Sequence, residues 1–216
     1  MSDPAIEPWT TAQFLAWQSA RAERYELVSG VPVRLAACPN SVVHDRIVIN
    51  VHNRIVINMI SELTGYLFDS GFRASGADRG IEIRPGHIRR PDAGIECGPK
   101  NPGAFMVVSP RVVAEVLSPE TRDFETFEKL ADYQQIESLD TIIFVEPNAP
   151  WVAVWSRERG GIWTHKMVLG FDQDVAIPSL GFELIPDDIY QHSEFPDKNR
   201  LVLTDQHPGQ QDQHSE

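Results

Sequence analysis

The run Val112-Val113-Ala114-Glu115-Val116-Leu117 constrains the fold more than any other stretch of this chain. It is apolar on both parities of an extended strand, apart from Glu115. Such a strand has to be covered on both faces, which places it at the centre of a sheet. A carboxylate in that setting is costly unless it is paired, hydrogen-bonded or bound to a metal. Glu115 is therefore the most informative single residue.

The chain has 216 residues, 42% of them apolar, the range of one large domain or two small ones. Further strands are expected at 24–28 and 31–35 around a Ser29-Gly30 turn, and at 65–68, 80–84, from Asp92, at 141–145, 151–155 and 161–168. Helices are expected at 11–17 with Thr10 as cap, and at 42–63 behind Pro39-Asn40-Ser41. In the second of these Val43, Ile47, Val51, Ile55 and Met59 recur every four residues. A third helix is expected from Ser118-Pro119 or Thr121 to about 136, and a short one at 186–190. The segment 98–103 reads as a loop. Residues 1–195 are expected to form one domain with an N-terminal helix and hairpin, and 196–216 a polar, disordered tail.

Met1-Ser2-Asp3-Pro4 opens no leader pattern, and no apolar run approaches the roughly 18 residues of a membrane span. The expected location is cytoplasmic. Cys38 and Cys97 lie in no metal-binding spacing and read as free thiols. The net charge of −12 argues against tight, sequence-tolerant binding to long DNA. Half of it, eight acids against two bases, falls in residues 183–216.

Asp92 follows Arg90-Pro91, and Pro91 gives it a rigid entry into a strand. Phosphodiester hydrolysis needs a cation that neutralises phosphate charge and activates water, with a further positive group nearby. Magnesium and manganese favour oxygen ligands and keep several waters. Asp92 and Glu115, with the backbone carbonyl after Glu115, supply such a set if their strands are adjacent. Lys129 would then be the positive group. The plainer reading is two buried carboxylates held by Arg89, Arg90 or capping amides.

On a helical wheel Lys129 lies about 140° from Phe124, with Phe127 and Ala131 on the Phe124 side. Lys129 therefore faces solvent unless Tyr133 and Ile136 form a second buried stripe with it. Tyr133 reads as a packing residue or as an orienter of the lysine. Glu26, on a hairpin strand, is expected on the solvated face, with a functional role as the alternative. His44 and His52 read as surface or packing histidines.

Tyr25-Glu26-Leu27-Val28, Ser41 with His44, Arg90-Pro91-Asp92, Glu115-Val116-Leu117-Ser118-Pro119, Thr121, Lys129, Tyr133, Phe144-Val145 and Pro178-Ser179 together resemble the Uma family of putative restriction endonucleases. That family lies in the PD-(D/E)xK nuclease superfamily, and the resemblance spans about residues 8–190. It implies an α/β fold with a restriction-endonuclease-like core, in which a central mixed β-sheet is flanked by helices. It implies Mg (or Mn) as cofactor, nucleic acid, expected to be DNA, as substrate, and a homodimer. By position it implies Asp92 and Glu115 as metal ligands, Lys129 as the catalytic lysine, and Glu26, Tyr133 and Arg90 in support. The superfamily lysine stands two residues after the second acid, where this chain has Leu117; Lys129 is then its migrated replacement. The family's hairpin acids are replaced by Ser29 and Val31.

The expected function is accordingly a Mg-dependent endonuclease acting on DNA. The alternative is a non-catalytic binding or scaffold module on the same fold, motivated by the acidic charge and Leu117. A carboxylate-pair glycosidase fits poorly, because these acids sit on apolar strands and not in an aromatic cleft.

Overall fold

The structure is a computed structural model. It describes residues 7–35, 43–67, 70–98, 104–117, 122–158, 160–193 and 195, with the backbone alone for 43–50 and 122–125. The candidate caps Pro39-Asn40-Ser41, Ser118-Pro119 and Thr121 lie outside those residues, as do Cys38, most of the 98–103 loop and the tail from 196. Of His44 only the backbone, in a helix, is described.

The chain opens with α1 (Thr11–Gln18), closed at its start by a capping box between Thr10 and Gln13. Strands β1 (Tyr25–Val28) and β2 (Val31–Arg34) form the expected hairpin. Its turn residues Ser29 and Gly30 sit at φ 50° and 81°, the left-handed pair that matches strand twist in a two-residue turn. A Cβ on Gly30 would stand 2.4 Å from Cβ of Pro8, so glycine is required there. β4 (Ile81–Arg84) and β5 (His87–Arg89) complete a four-stranded antiparallel sheet in the order β2-β1-β5-β4.

The larger sheet has six strands in the order β10-β9-β8-β7-β6-β3. These are β3 (Phe72–Gly76), β6 (Ala93–Cys97), β7 (Pro110–Val116), β8 (Thr141–Val145), β9 (Trp151–Ser156) and β10 (Thr164–Leu169). Only β7 and β8 pair in parallel, connected through α3 (Arg122–Tyr133); the other pairs are antiparallel. β7 lies inside the sheet and is buried along its length apart from Arg111.

Its two parities feed two cores. Val112, Ala114 and Val116 face the long helix α2 (Val43–Tyr66), whose Ile55, Met59 and Leu63 form one continuous apolar stripe. Val113 and Leu117 face α3, with Tyr133, Ile142 and Phe144. Burying an aliphatic side chain of this size contributes about 1.5–3 kcal/mol, so both helices are fixed by the sheet. A small hairpin, β11 (Val175–Ile177) and β12 (Phe182–Leu184), and the short α4 (Pro186–Ile189) close the α2 side.

Several expectations need correction. Gly65 and Tyr66 are not strand but the last turn of α2, because Leu67 continues the stripe of Ile55, Met59 and Leu63 into the core; the strand expected there is β3, further on. β10 begins at Thr164, three residues late, after Trp163 has packed under the Arg157 guanidinium. α3 ends at Tyr133, short of 136. β5 and the β11–β12 hairpin, whose strands have three residues each, are too short to show a period. No described helix is long and apolar enough to cross a membrane.

Candidate functional site

β6 and β7 bring the two acids together. Ala93 pairs with Ala114 in antiparallel register, so Asp92, at the mouth of β6, stands opposite Glu115. The Val116 amide N–H donates to Asp92 Oδ2 at 2.9 Å, which ties the carboxylate to the neighbouring strand. His52 Nε2 lies 3.3 Å from the same oxygen. Among the described residues no donor reaches Asp92 Oδ1, and the side chain retains 21% of its exposure.

Glu115 is 4% exposed and is held through both oxygens. Lys129 Nζ donates to Oε2 at 2.9 Å and the Tyr133 hydroxyl to Oε1 at 2.5 Å. Of the two wheel readings for Lys129, the second buried stripe with Tyr133 and Ile136 is the one observed. Phe127 is exposed, at 73%, while Lys129, Tyr133 and the half-buried Ile136 face the sheet. A buried Glu115 carboxylate left without a partner would be strongly destabilising, and Lys129 with Tyr133 supplies that pairing.

Burial pushes the Glu115 carboxyl up to about 7, against the pull of Lys129. Burial alone would favour a neutral amine at Lys129, but Glu115, Glu26 and Asp92 outweigh it and hold the ammonium above its ordinary range. For Asp92 burial also raises the carboxyl, yet His52, Lys129 and the Val116 amide together leave it below the usual value. The site therefore carries a charged lysine between acids of unequal character.

Glu26 is not on a solvated face. It is 2% exposed; its Oε2 accepts from Arg89 Nη1 at 2.9 Å and its Oε1 from the Arg90 amide N–H at 2.9 Å. Arg90 turns its guanidinium away, donating to the carbonyls of Tyr25 at 2.8 Å and Asp78 at 2.7 Å. Arg89 also donates through Nε to Asp132 Oδ2 on α3 at 2.7 Å. Burial disfavours its charge, but Glu26 and Asp132 prevail and raise its pKa. His87 completes the group. Its Nδ1 accepts the Ser29 amide N–H at 3.1 Å, so Nε2 carries the hydrogen and donates to Asp132 Oδ2 at 2.7 Å.

Sequence reasoning missed Asp132, His87 and the contact of His52. Asp132 is three residues after Lys129 and adjacent to Tyr133, so a helix already read as buried on that side carried a usable signal. His52 shares a helical face with Ile55 and Met59, and the same stripe that packs α2 delivers its ring to Asp92.

Among the described residues no group of three or more His, Cys, Asp or Glu side chains is arranged to hold a metal by itself. Two carboxylates supplemented by a backbone carbonyl and water nevertheless suit a hard divalent ion. The free, partly exposed Oδ1 of Asp92 beside the buried Glu115 fits that chemistry.

A six-stranded mixed sheet with helices on both faces defines a restriction-endonuclease-like fold. The profile of the Uma2 family, described as "Putative restriction endonuclease", matches residues 11–187. The chain belongs to that family. Its fold is similar to that of a crystal structure titled as a "putative nuclease belonging to DUF820" from Anabaena variabilis, with a TM-score of 0.61 and 17% identity over 85% of this chain and 98% of that one. No curated protein matches the chain.

Proposed function

We propose that the chain is a Mg2+- or Mn2+-dependent endonuclease that hydrolyses phosphodiester bonds of DNA. The observation that carries this reading is the placement of Asp92 and Glu115 side by side on antiparallel strands with Lys129 on Glu115. Asp92 and Glu115 would hold the cation, with the carbonyl of Val116 next in the chain. A bound divalent ion supplies phosphate neutralisation and a water of lowered pKa.

The residues of the chain do the rest. Lys129, kept charged by its acidic surroundings, sets a positive group where charge develops on the phosphate. Tyr133 fixes the Glu115 carboxylate and, through it, the lysine. Glu26 and Arg90 support the site by joining β1 to the Arg90-Pro91-Asp92 entry.

The test combines binding and turnover. Millimolar Mn2+ or Mg2+ should raise the melting temperature, and Asp92→Asn should abolish that rise. Cleavage of supercoiled plasmid should require the metal and be lost in Lys129→Met. An unchanged wild-type melting point together with intact plasmid favours the second reading, a non-catalytic binding module. One observation speaks for that alternative: Lys129 and Tyr133 already satisfy both oxygens of Glu115.

A further inference from the structure

We propose that His52 is a positioning residue of the Asp92–Glu115 centre, locking the Asp92 carboxylate so that one oxygen stays available to a divalent cation. This rests on the metal-site reading above. Asp92 lies just before β6 (Ala93–Cys97), where the sheet ladder has not yet begun. Two groups from different elements converge on one atom. The Val116 amide approaches Oδ2 from β7 at 2.9 Å, and His52 Nε2 from α2 at 3.3 Å. The carboxylate is thereby pinned between a strand and a helix, and Oδ1 has no donor among the described residues.

The helix is able to do this because it is itself fixed. Ile55, Met59 and Leu63 are fully buried on the face that continues from His52, and Ile60 approaches Gly76 on β3, beside the Asp92 carbonyl. His52 retains 29% of its side-chain exposure. Partners of metal-binding carboxylates and imidazoles commonly set ligand orientation, and their loss weakens metal affinity by about 10–100-fold. By this geometry His52 takes that part without binding the metal.

The experiment is calorimetric titration of Mn2+ into the whole protein as wild type, His52→Phe and His52→Gln, with folding of each verified by circular dichroism. His52→Phe keeps the ring volume but lacks the donor and should bind Mn2+ about 10–100-fold more weakly. His52→Gln places an N–H at similar reach and should recover most of the affinity. A purely structural histidine would instead shift the melting temperature in both variants and leave affinity alone. Wild-type affinity in His52→Phe, or a His52→Gln variant as weak as His52→Phe, overturns the proposal while leaving the metal site standing. Absence of Mn2+ binding in the wild type overturns both. A metal-free check is the imidazole nitrogen spectrum: Nε2 should carry the hydrogen, and a shift insensitive to Asp92→Asn would also sink the role.

Discussion

Replacing Arg89 by methionine removes the one cation shared by two buried carboxylates. Glu26 and Asp132 expose 3% and 10% of their side chains, so neither recovers much hydration when the guanidinium goes. Glu26 keeps the Arg90 amide N–H, and Asp132 keeps His87 and the longer Arg84 contact at 3.4 Å. Stranding a buried partner in this way costs about 3–5 kcal/mol. For a chain of this size about 2–4 °C is lost per kcal/mol, so Arg89→Met should melt roughly 6–20 °C below wild type at pH 7. Urea denaturation read by fluorescence gives the free energy directly. Adding Glu26→Gln removes one stranded charge, and the double variant should be more stable than Arg89→Met alone. A loss under about 1 kcal/mol, or no recovery in the double variant, would refute the argument that the network is paired because it is buried.

Three further outcomes are expected. Tyr133→Phe deletes the hydroxyl that donates to Glu115 Oε1 and should cost about 1–3 kcal/mol in chemical denaturation, with no change in helix content. Gly94→Ala puts a Cβ 2.7 Å from the Val112 carbonyl oxygen, prising β6 from β7 beside Asp92; it should lower both stability and Mn2+ affinity, and a variant with native values for both contradicts the register. Asp132 has a carboxyl held below its usual value because Arg89 and His87 outweigh its burial. A depressed folded-state pKa means that its stabilisation is complete above the ordinary value near 3.8 and is lost as pH falls through the lower, folded one. Acid unfolding followed from pH 5 downward should therefore show a shallower loss of stability in Asp132→Asn.

The elements legible in the sequence were those whose period carried the burial. β7 announced itself because it is apolar on both parities, and α2 because Ile55 and Met59 repeat at helical spacing. Gly65-Tyr66 misled because a glycine beside aromatics resembles a strand edge, whereas a Cβ at Gly65 would meet nothing within 4 Å beyond its own helix and a helix tolerates glycine there. The acids of the candidate site were visible as anomalies, carboxylates where water is excluded. Their partners were not. That Glu26 faces inward depends on Arg89 arriving from β5, 63 residues away, and that Lys129 does so depends on Glu115 across a helix-to-strand packing. Pair contacts of this kind leave no local period, and a wheel drawn for α3 alone weighs Phe127 as core when it is the outward residue.

In this chain the acid and the lysine ride on different elements, a strand and the helix that follows it, with Leu117 filling the strand position between them. The gap between ammonium and carboxylate is consequently a property of how α3 rests on Ile142, Phe144 and Leu139. A methylene added or removed beneath that helix moves the ammonium relative to the carboxylate without altering a polar atom. Refilling this core for thermal robustness would therefore shift the Lys129–Glu115 contact at the same time, and under the proposed function it would alter turnover without touching a polar residue.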